Sequence, residues 1–172
     1  MRHRKVGLDS SLFIFHIEDN PTYGGLADAV FTWLEGSRAE AVTSTITMLE
    51  LLVQPYRLSD IDRVNQFYAL LSSYPHLDWV SPTLKIADLG ARLRAEHNLR
   101  TPDALQAATA LSSGATGFIS NDPIFQRLGN LETAILDDFL KGAVHEPEAE
   151  YVTRNRKKKR PHKKENRQRR GT

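Results

Sequence analysis

The sequence predicts an α/β fold with a largely parallel sheet covered by helices on both faces. Two observations predict it. Short apolar segments alternate with longer segments of helical periodicity from residue 5 to about residue 140, and that alternation is the signature of βα units. The chain has 172 residues, 40% of them apolar, which suits one domain with a substantial core plus an extension. No internal repeat is visible.

The elements read in order as follows. Lys5-Val6-Gly7-Leu8-Asp9 is a short strand ending in an acid, and Ser10 to Phe15 turns into a helix. Asn20 to Gly25 is a loop, rich in turn formers. Leu26, Val30, Phe31 and Leu34 recur at helical spacing, with Gly36 as a stop. Ala39 to Ser44 is a second strand. Thr45 to Gln54 is a helix that Pro55 should end. Ser59 is positioned to cap the next helix, whose apolar face is Ile61, Val64, Phe67, Tyr68 and Leu71. Leu77 to Val80 is a third strand, and Thr83 to His97 is amphipathic.

Thr101 to Leu111 reads as a helix buried on most sides, because after its first turn almost every residue is apolar or small. Thr101 is the expected N-cap and Pro102 the first helical residue. Phe118 to Ser120 is a fourth strand, Asn121-Asp122-Pro123 its exit loop, Ile124 to Leu128 a helical turn, and Thr133 to Leu136 a weak fifth strand. From about Pro147 the apolar pattern stops. Residues 147–172 form a basic tail that cannot build a core and should be disordered.

Composition excludes several function classes. With no cysteine there are no disulfides and no thiolate zinc sites, and a cytoplasmic location is expected. No apolar run is long enough to span a membrane, and no signal-peptide pattern is seen. The six histidines lack metal-ligand spacing, and no glycine-rich phosphate loop occurs.

The net charge of +2 conceals a split. Residues 154–170 hold 11 of the 23 basic and one of the 21 acidic side chains, so the preceding 153 residues carry 12 and 20, a net of −8. An acidic body with a basic tail is a signal for a polyanionic partner. Arg154, Arg156, Lys157, Lys158, Lys159, Arg160, Lys163 and Lys164 are the candidate RNA contacts, since clustered cations release phosphate counterions on binding.

Four acids in the body stand where structure alone does not favour them. Asp9 ends the first strand and Asp122 follows the fourth, both at carboxyl ends, where sites form in open α/β sheets. Asp103 opens the buried helix and can face the same edge. Glu50 interrupts Met48-Leu49-Glu50-Leu51-Leu52-Val53, where a carboxylate is costly unless paired or metal-bound. Structural readings stand beside these: Asp122 before Pro123 is also a good N-cap, Asp9 can hydrogen-bond a turn, and Glu50 can sit on a helix rim. Should all four converge, their repulsion calls for a cation, and a hard divalent ion such as Mg²⁺ or Mn²⁺ suits carboxylate oxygens.

Asp9 in Val-Gly-Leu-Asp-Ser-Ser, Glu50 in Leu-Glu-Leu, Asp103 in Thr-Pro-Asp-Ala-Leu-Gln-Ala-Ala and Asp122 in Ile-Ser-Asn-Asp-Pro-Ile-Phe give the chain its resemblance. Over residues 4–140 it resembles PIN-domain ribonucleases of the VapC toxin type, and the last two motifs are the specific part. The resemblance implies a three-layer PIN-like nuclease domain over residues 1–146. It implies Mg²⁺- or Mn²⁺-dependent hydrolysis of RNA phosphodiester bonds, with metal held by Asp9, Asp103 and Asp122 and by Glu50 directly or through water. Ser120 could support a carboxylate or the scissile phosphate. A cognate antitoxin and a homodimer are the implied protein partners, with the early aromatic residues Phe13, Phe15, Phe31, Trp33, Phe67 and Tyr68 serving as core, dimer seam or antitoxin groove. The alternatives are a catalytically silent PIN-like scaffold binding RNA or protein, and a PIN nuclease of RNA processing with no antitoxin.

Overall fold

The computed structural model describes residues 4–36 and 38–143. The basic tail and the boundary expected near residue 146 lie outside the described residues. The described chain runs β1 (Lys5–Leu8), α1 (Ser10–Ile17), α2 (Gly24–Gly36), β2 (Glu40–Ser44), α3 (Thr45–Arg57), α4 (Ile61–Ser73), β3 (Leu77–Val80), α5 (Leu84–His97), α6 (Thr101–Ser112), β4 (Gly117–Ser120), a 3₁₀ helix (Pro123–Arg127), β5 (Glu132–Ile135) and α7 (Leu136–Ala143).

The five strands form one sheet in the order β3-β2-β1-β4-β5, and all four pairings are parallel. The expected α/β class is therefore what the chain adopts. Each strand supplies both faces by alternation. Val6, Leu8, Ala41 and Ile119 join a core with α1 to α4, while Val42 and Phe118 join a second core with α5, α6 and the 3₁₀ helix. This makes three layers. Gly7 faces α6, where a β-carbon would meet Phe118 Cδ2 at 2.4 Å and Ala110 Cβ at 2.6 Å. Space, not backbone conformation, requires glycine there.

Helix α7 was not expected, and Leu136, read as the end of β5, is its first residue; three helix starts or ends also differ from expectation, each for a physical reason. Helix α3 runs past Pro55 to Arg57. Proline removes one backbone donor, but the last turn is closed again by Leu58 N–H to Gln54 O at 3.1 Å and Asp60 N–H to Pro55 O at 3.0 Å. The cap of α4 is Asp60, whose carboxylate accepts from Arg63 N–H at 2.9 Å, because Ser59 sits at φ 54° in the turn before it. The cap position of α6 is Arg100, not Thr101, and it makes no capping bond from its side chain. Thr101 Oγ1 instead accepts from Arg94 at 2.6 Å, and Pro102 is the second helical residue, where a backbone donor is still not needed.

Of the early aromatic residues, Phe13, Phe31 and Phe67 are core, and Phe13 packs edge-on against Phe31 at 5.3 Å. His16 links the Asp28 carboxylate at Nδ1 (2.5 Å) to the Tyr74 hydroxyl at Nε2, fastening α1 to α2 and to the chain before β3. Burial, with the charges of Glu35 and Asp28, pushes the Tyr74 hydroxyl up to about 12.

Candidate active site

The strand order places β1 between β2 and β4, and the chain leaves β1 in one direction and returns through β4 in the other. That reversal opens a crevice at the carboxyl ends of β1 and β4. Asp9 follows β1 directly, and its backbone N–H bonds Ile119 O of β4 at 3.0 Å. The residue is 7% exposed. Its backbone caps α1, but its carboxylate makes no capping bond. Oδ2 accepts from the Ser11 hydroxyl at 2.7 Å and the Ser120 hydroxyl at 2.8 Å, and Oδ1 lies 3.5 Å from Ser10 Oγ. Burial raises the Asp9 pKa above the ordinary carboxylate value, and the hydrogen bonds from Ser11 and Ser120 oppose that rise.

Ser120 is fully buried. Its hydroxyl donates to Asp9 and accepts from Asp122 N–H at 3.0 Å, so one side chain ties two of the acids together. Asp122 has the local role its sequence suggested: Oδ1 accepts from Ile124 N–H at 2.9 Å and caps the 3₁₀ helix. Its second oxygen, Oδ2, lies 3.8 Å from Arg100. Asn121 is a loop organiser. Its amide oxygen accepts from Asp137 N–H at 2.9 Å at the start of α7, and its own N–H reaches Ser11 Oγ at 3.3 Å.

Asp103 lies in the first turn of α6, with its side chain 11% exposed. Both its oxygens receive the Arg100 fork, Nε to Oδ2 at 2.8 Å and an Nη to Oδ1 at 3.1 Å. Glu50 is half-buried on α3 and takes a hydrogen bond from Ser10. Its Oε2 is buried and has no hydrogen-bond partner among the described residues. Burial raises the Glu50 pKa, and the nearby charges of Asp9 and Asp103 raise it further, against Arg100. Glu50 thus feels the charges of Asp9 and Asp103, and Arg100 and Ser120 link Asp122 to the same edge. Among the described residues, no three Asp, Glu or His side chains are drawn close enough to cage a single ion as they stand.

Five further side chains shape this edge, and nothing in the sequence singles them out as site residues. Gln106, 2% exposed, donates to Thr47 Oγ1 at 2.7 Å and accepts from Ser44 N–H at 3.4 Å. Thr47 also pairs with the Thr43 hydroxyl at 2.8 Å, and Thr43 donates to Leu8 O at 2.9 Å, next to Asp9. This buried chain fixes α3, bearing Glu50, and α6, bearing Asp103, against the ends of β1 and β2. An amide amid the small apolar residues of α6 was its only trace in the sequence. Ser11 and Arg100 left no such trace: each is an ordinary residue beside a motif, and only the folded chain brings it onto a carboxylate.

Comparison with known proteins agrees with this architecture. The PIN domain family model matches residues 6–131. Among solved structures, VapBC-1 from nontypeable Haemophilus influenzae is similar at 21% identity and TM-score 0.59, covering 77% of this chain and 98% of that one. VapC20 from Mycobacterium tuberculosis, described as a sarcin-ricin loop cleaving toxin, aligns at 15% identity and TM-score 0.60, covering 74% and 97%. A toxin-antitoxin complex from Klebsiella pneumoniae aligns at 20% identity and TM-score 0.57, covering 74% and 94%. At these identities the structural likeness shows the fold alone. No curated protein matches the sequence. With the family model spanning most of the chain and a five-stranded parallel sheet beneath it, this protein belongs to the PIN domain family.

Proposed function

We propose that the protein is a metal-dependent endoribonuclease, the toxin of a type II toxin–antitoxin pair, acting in the cytoplasm. The observation that carries the chemistry is the gathering of Asp9, Glu50, Asp103 and Asp122 at the switch-point edge of a PIN domain. The donor set fits a hard divalent ion: it is all oxygen, and Glu50 Oε2 is a buried acceptor without a partner among the described residues. Asp9, Asp103 and Asp122 are the proposed ligands of Mg²⁺ or Mn²⁺, with Glu50 direct or through water.

The bound ion would supply a water of lowered pKa and offset charge on the phosphoryl oxygens. The protein's own residues set the frame for the reaction. Ser11 and Ser120 hold Asp9 in one orientation, and Ser120 passes that constraint to the Asp122 backbone. In the hydrolysis, a water oxygen bonds to phosphorus, the bond to the leaving ribose oxygen breaks, and the water proton passes through solvent to that oxygen.

The partners in this reading are RNA, a second copy of the chain and an antitoxin. The VapBC structures support the antitoxin by likeness of fold. An apolar groove along α3 and α4, about 830 Å³ in volume and lined by Leu49, Val53, Tyr56 and Tyr68, supports a protein-binding face. No helix among the described residues is long and apolar enough to cross a membrane.

The test is cleavage of an RNA oligonucleotide with Mn²⁺, with and without chelator, by wild type and by Asp103→Asn. Cleavage by the wild type alone, and only without chelator, is expected. RNA binding without cleavage in any condition would instead identify a silent scaffold.

A further inference from the structure

Arg100 stands among the four acids and has no part in the reading above. Its guanidinium takes both oxygens of Asp103, at 2.8 and 3.1 Å, lies 3.8 Å from Asp122 Oδ2, and interacts electrostatically with Glu50. It is thus the cation that the carboxylate group already holds. Yet its side chain is 76% exposed, while the Asp103 side chain it grips is only 11% exposed. Its backbone, at φ −69° and ψ 159°, is extended and precedes the first helical residue, so the side chain is not confined by a preceding helical turn. The partner is fixed and the arginine is free to leave.

A divalent ion at Asp103 competes with the Arg100 fork, because the fork already occupies a lone pair on each oxygen and like charges at that distance repel. A guanidinium released beside the acids keeps its planar pair of donors, a geometry that suits two oxygens of a phosphodiester as well as those of a carboxylate. We propose that Arg100 is a built-in competitor for the metal that becomes a phosphate clamp: the ion displaces it from Asp103, and the freed fork takes the non-bridging oxygens of the scissile phosphate. Metal entry and substrate grip are then coupled through one side chain. This inference rests on the nuclease reading and adds to it a residue with two opposed effects.

The test uses the full chain and two readouts. Mn²⁺ alone is titrated calorimetrically, without RNA, into wild type, Arg100→Gln and Arg100→Lys. Arg100→Gln is expected to bind Mn²⁺ roughly fivefold more tightly, the worth of an exposed ion pair removed from competition. Arg100→Lys keeps the charge but loses the fork, so it should fall between. Cleavage of the same RNA oligonucleotide at saturating Mn²⁺ should then show kcat/KM at least about tenfold lower for Arg100→Gln, as loss of a charge-assisted bond to phosphate predicts. Tighter metal binding with weaker cleavage is a pairing that a merely structural arginine does not give, since loosening the start of α6 would weaken both. Mn²⁺ affinity unchanged or weakened in Arg100→Gln, or an unchanged kcat/KM, overturns the proposal while wild-type cleavage leaves the nuclease reading standing. A wild type that binds no Mn²⁺ overturns both. Circular dichroism and thermal melts of the three proteins separate misfolding from these outcomes, and Arg100→Lys carries the test should Arg100→Gln not fold.

Discussion

Replacing Gln106 by Met keeps the volume of the side chain and removes its polar atoms from the interior. Two bonds go. The amide donor leaves Thr47 Oγ1, which retains the Thr43 hydroxyl at 2.8 Å, and the Ser44 N–H loses an acceptor at 3.4 Å. A net hydrogen bond is worth about 1 kcal/mol, and depriving a buried donor of its partner costs about 1–3 kcal/mol. The second bond is long, so the low end applies and the sum is about 2 kcal/mol. In a domain of this size that corresponds to a melting temperature lower by roughly 4–8 °C. Thermal and urea unfolding of Gln106→Met check the number, with the exposed Gln66→Met on α4 as the control. Because the network also locates Asp103 against β2, the Mn²⁺ affinity of the variant should drop severalfold even at temperatures where it is fully folded. A variant that melts within about 1 °C of wild type and binds Mn²⁺ equally well would show that the Thr43–Thr47–Gln106 chain neither stabilises the edge nor positions the acid.

Three other outcomes are expected. Gly7→Ala drives a methyl group into Phe118 and Ala110, and overpacking of this kind costs up to about 3 kcal/mol, read as a melting temperature lower by roughly 6–12 °C. Glu50→Gln should abolish cleavage yet stabilise the metal-free protein. The raised Glu50 pKa means that the folded state binds its proton more tightly than the unfolded state, so the destabilisation is fully present above the folded pKa and vanishes below the unfolded one. The gain in melting temperature should therefore be largest at pH 8 and fade toward pH 4, and a gain that does not vary with pH would contradict it. Removing residues 154–172, with 11 of the 23 basic side chains, should weaken RNA binding and flatten its dependence on salt, whereas unchanged affinity and slope would show that the tail takes no part in binding.

The α/β class, the order of the first twelve elements and the carboxyl-edge position of Asp9 and Asp122 could be read directly from the chain, whereas α7 could not, since its first residue Leu136 reads as the end of β5. The signals for them are local: a two-residue or 3.6-residue period, turn formers, and an acid at the end of an apolar run. Boundaries were less readable where two local rules competed. Pro55 is a helix breaker by propensity, yet α3 closes its last turn around it. Ser59 and Thr101 are good caps by residue type, yet Asp60 and the backbone of Arg100 occupy those positions.

What only tertiary structure decided is which side chains touch. Ser120 is 111 residues from Asp9 and Gln106 is 59 residues from Thr47, and no period or spacing encodes contacts over such separations. The sequence alone determined which residues carry charge and which segments must be buried, because those are properties of single residues and their neighbours. The crossing of the chain at β1 and β4 decided that Asp9, Glu50, Asp103 and Asp122 share one edge with an arginine among them. That arrangement depends on how the sheet is wound, and winding follows from the packing of all its layers at once.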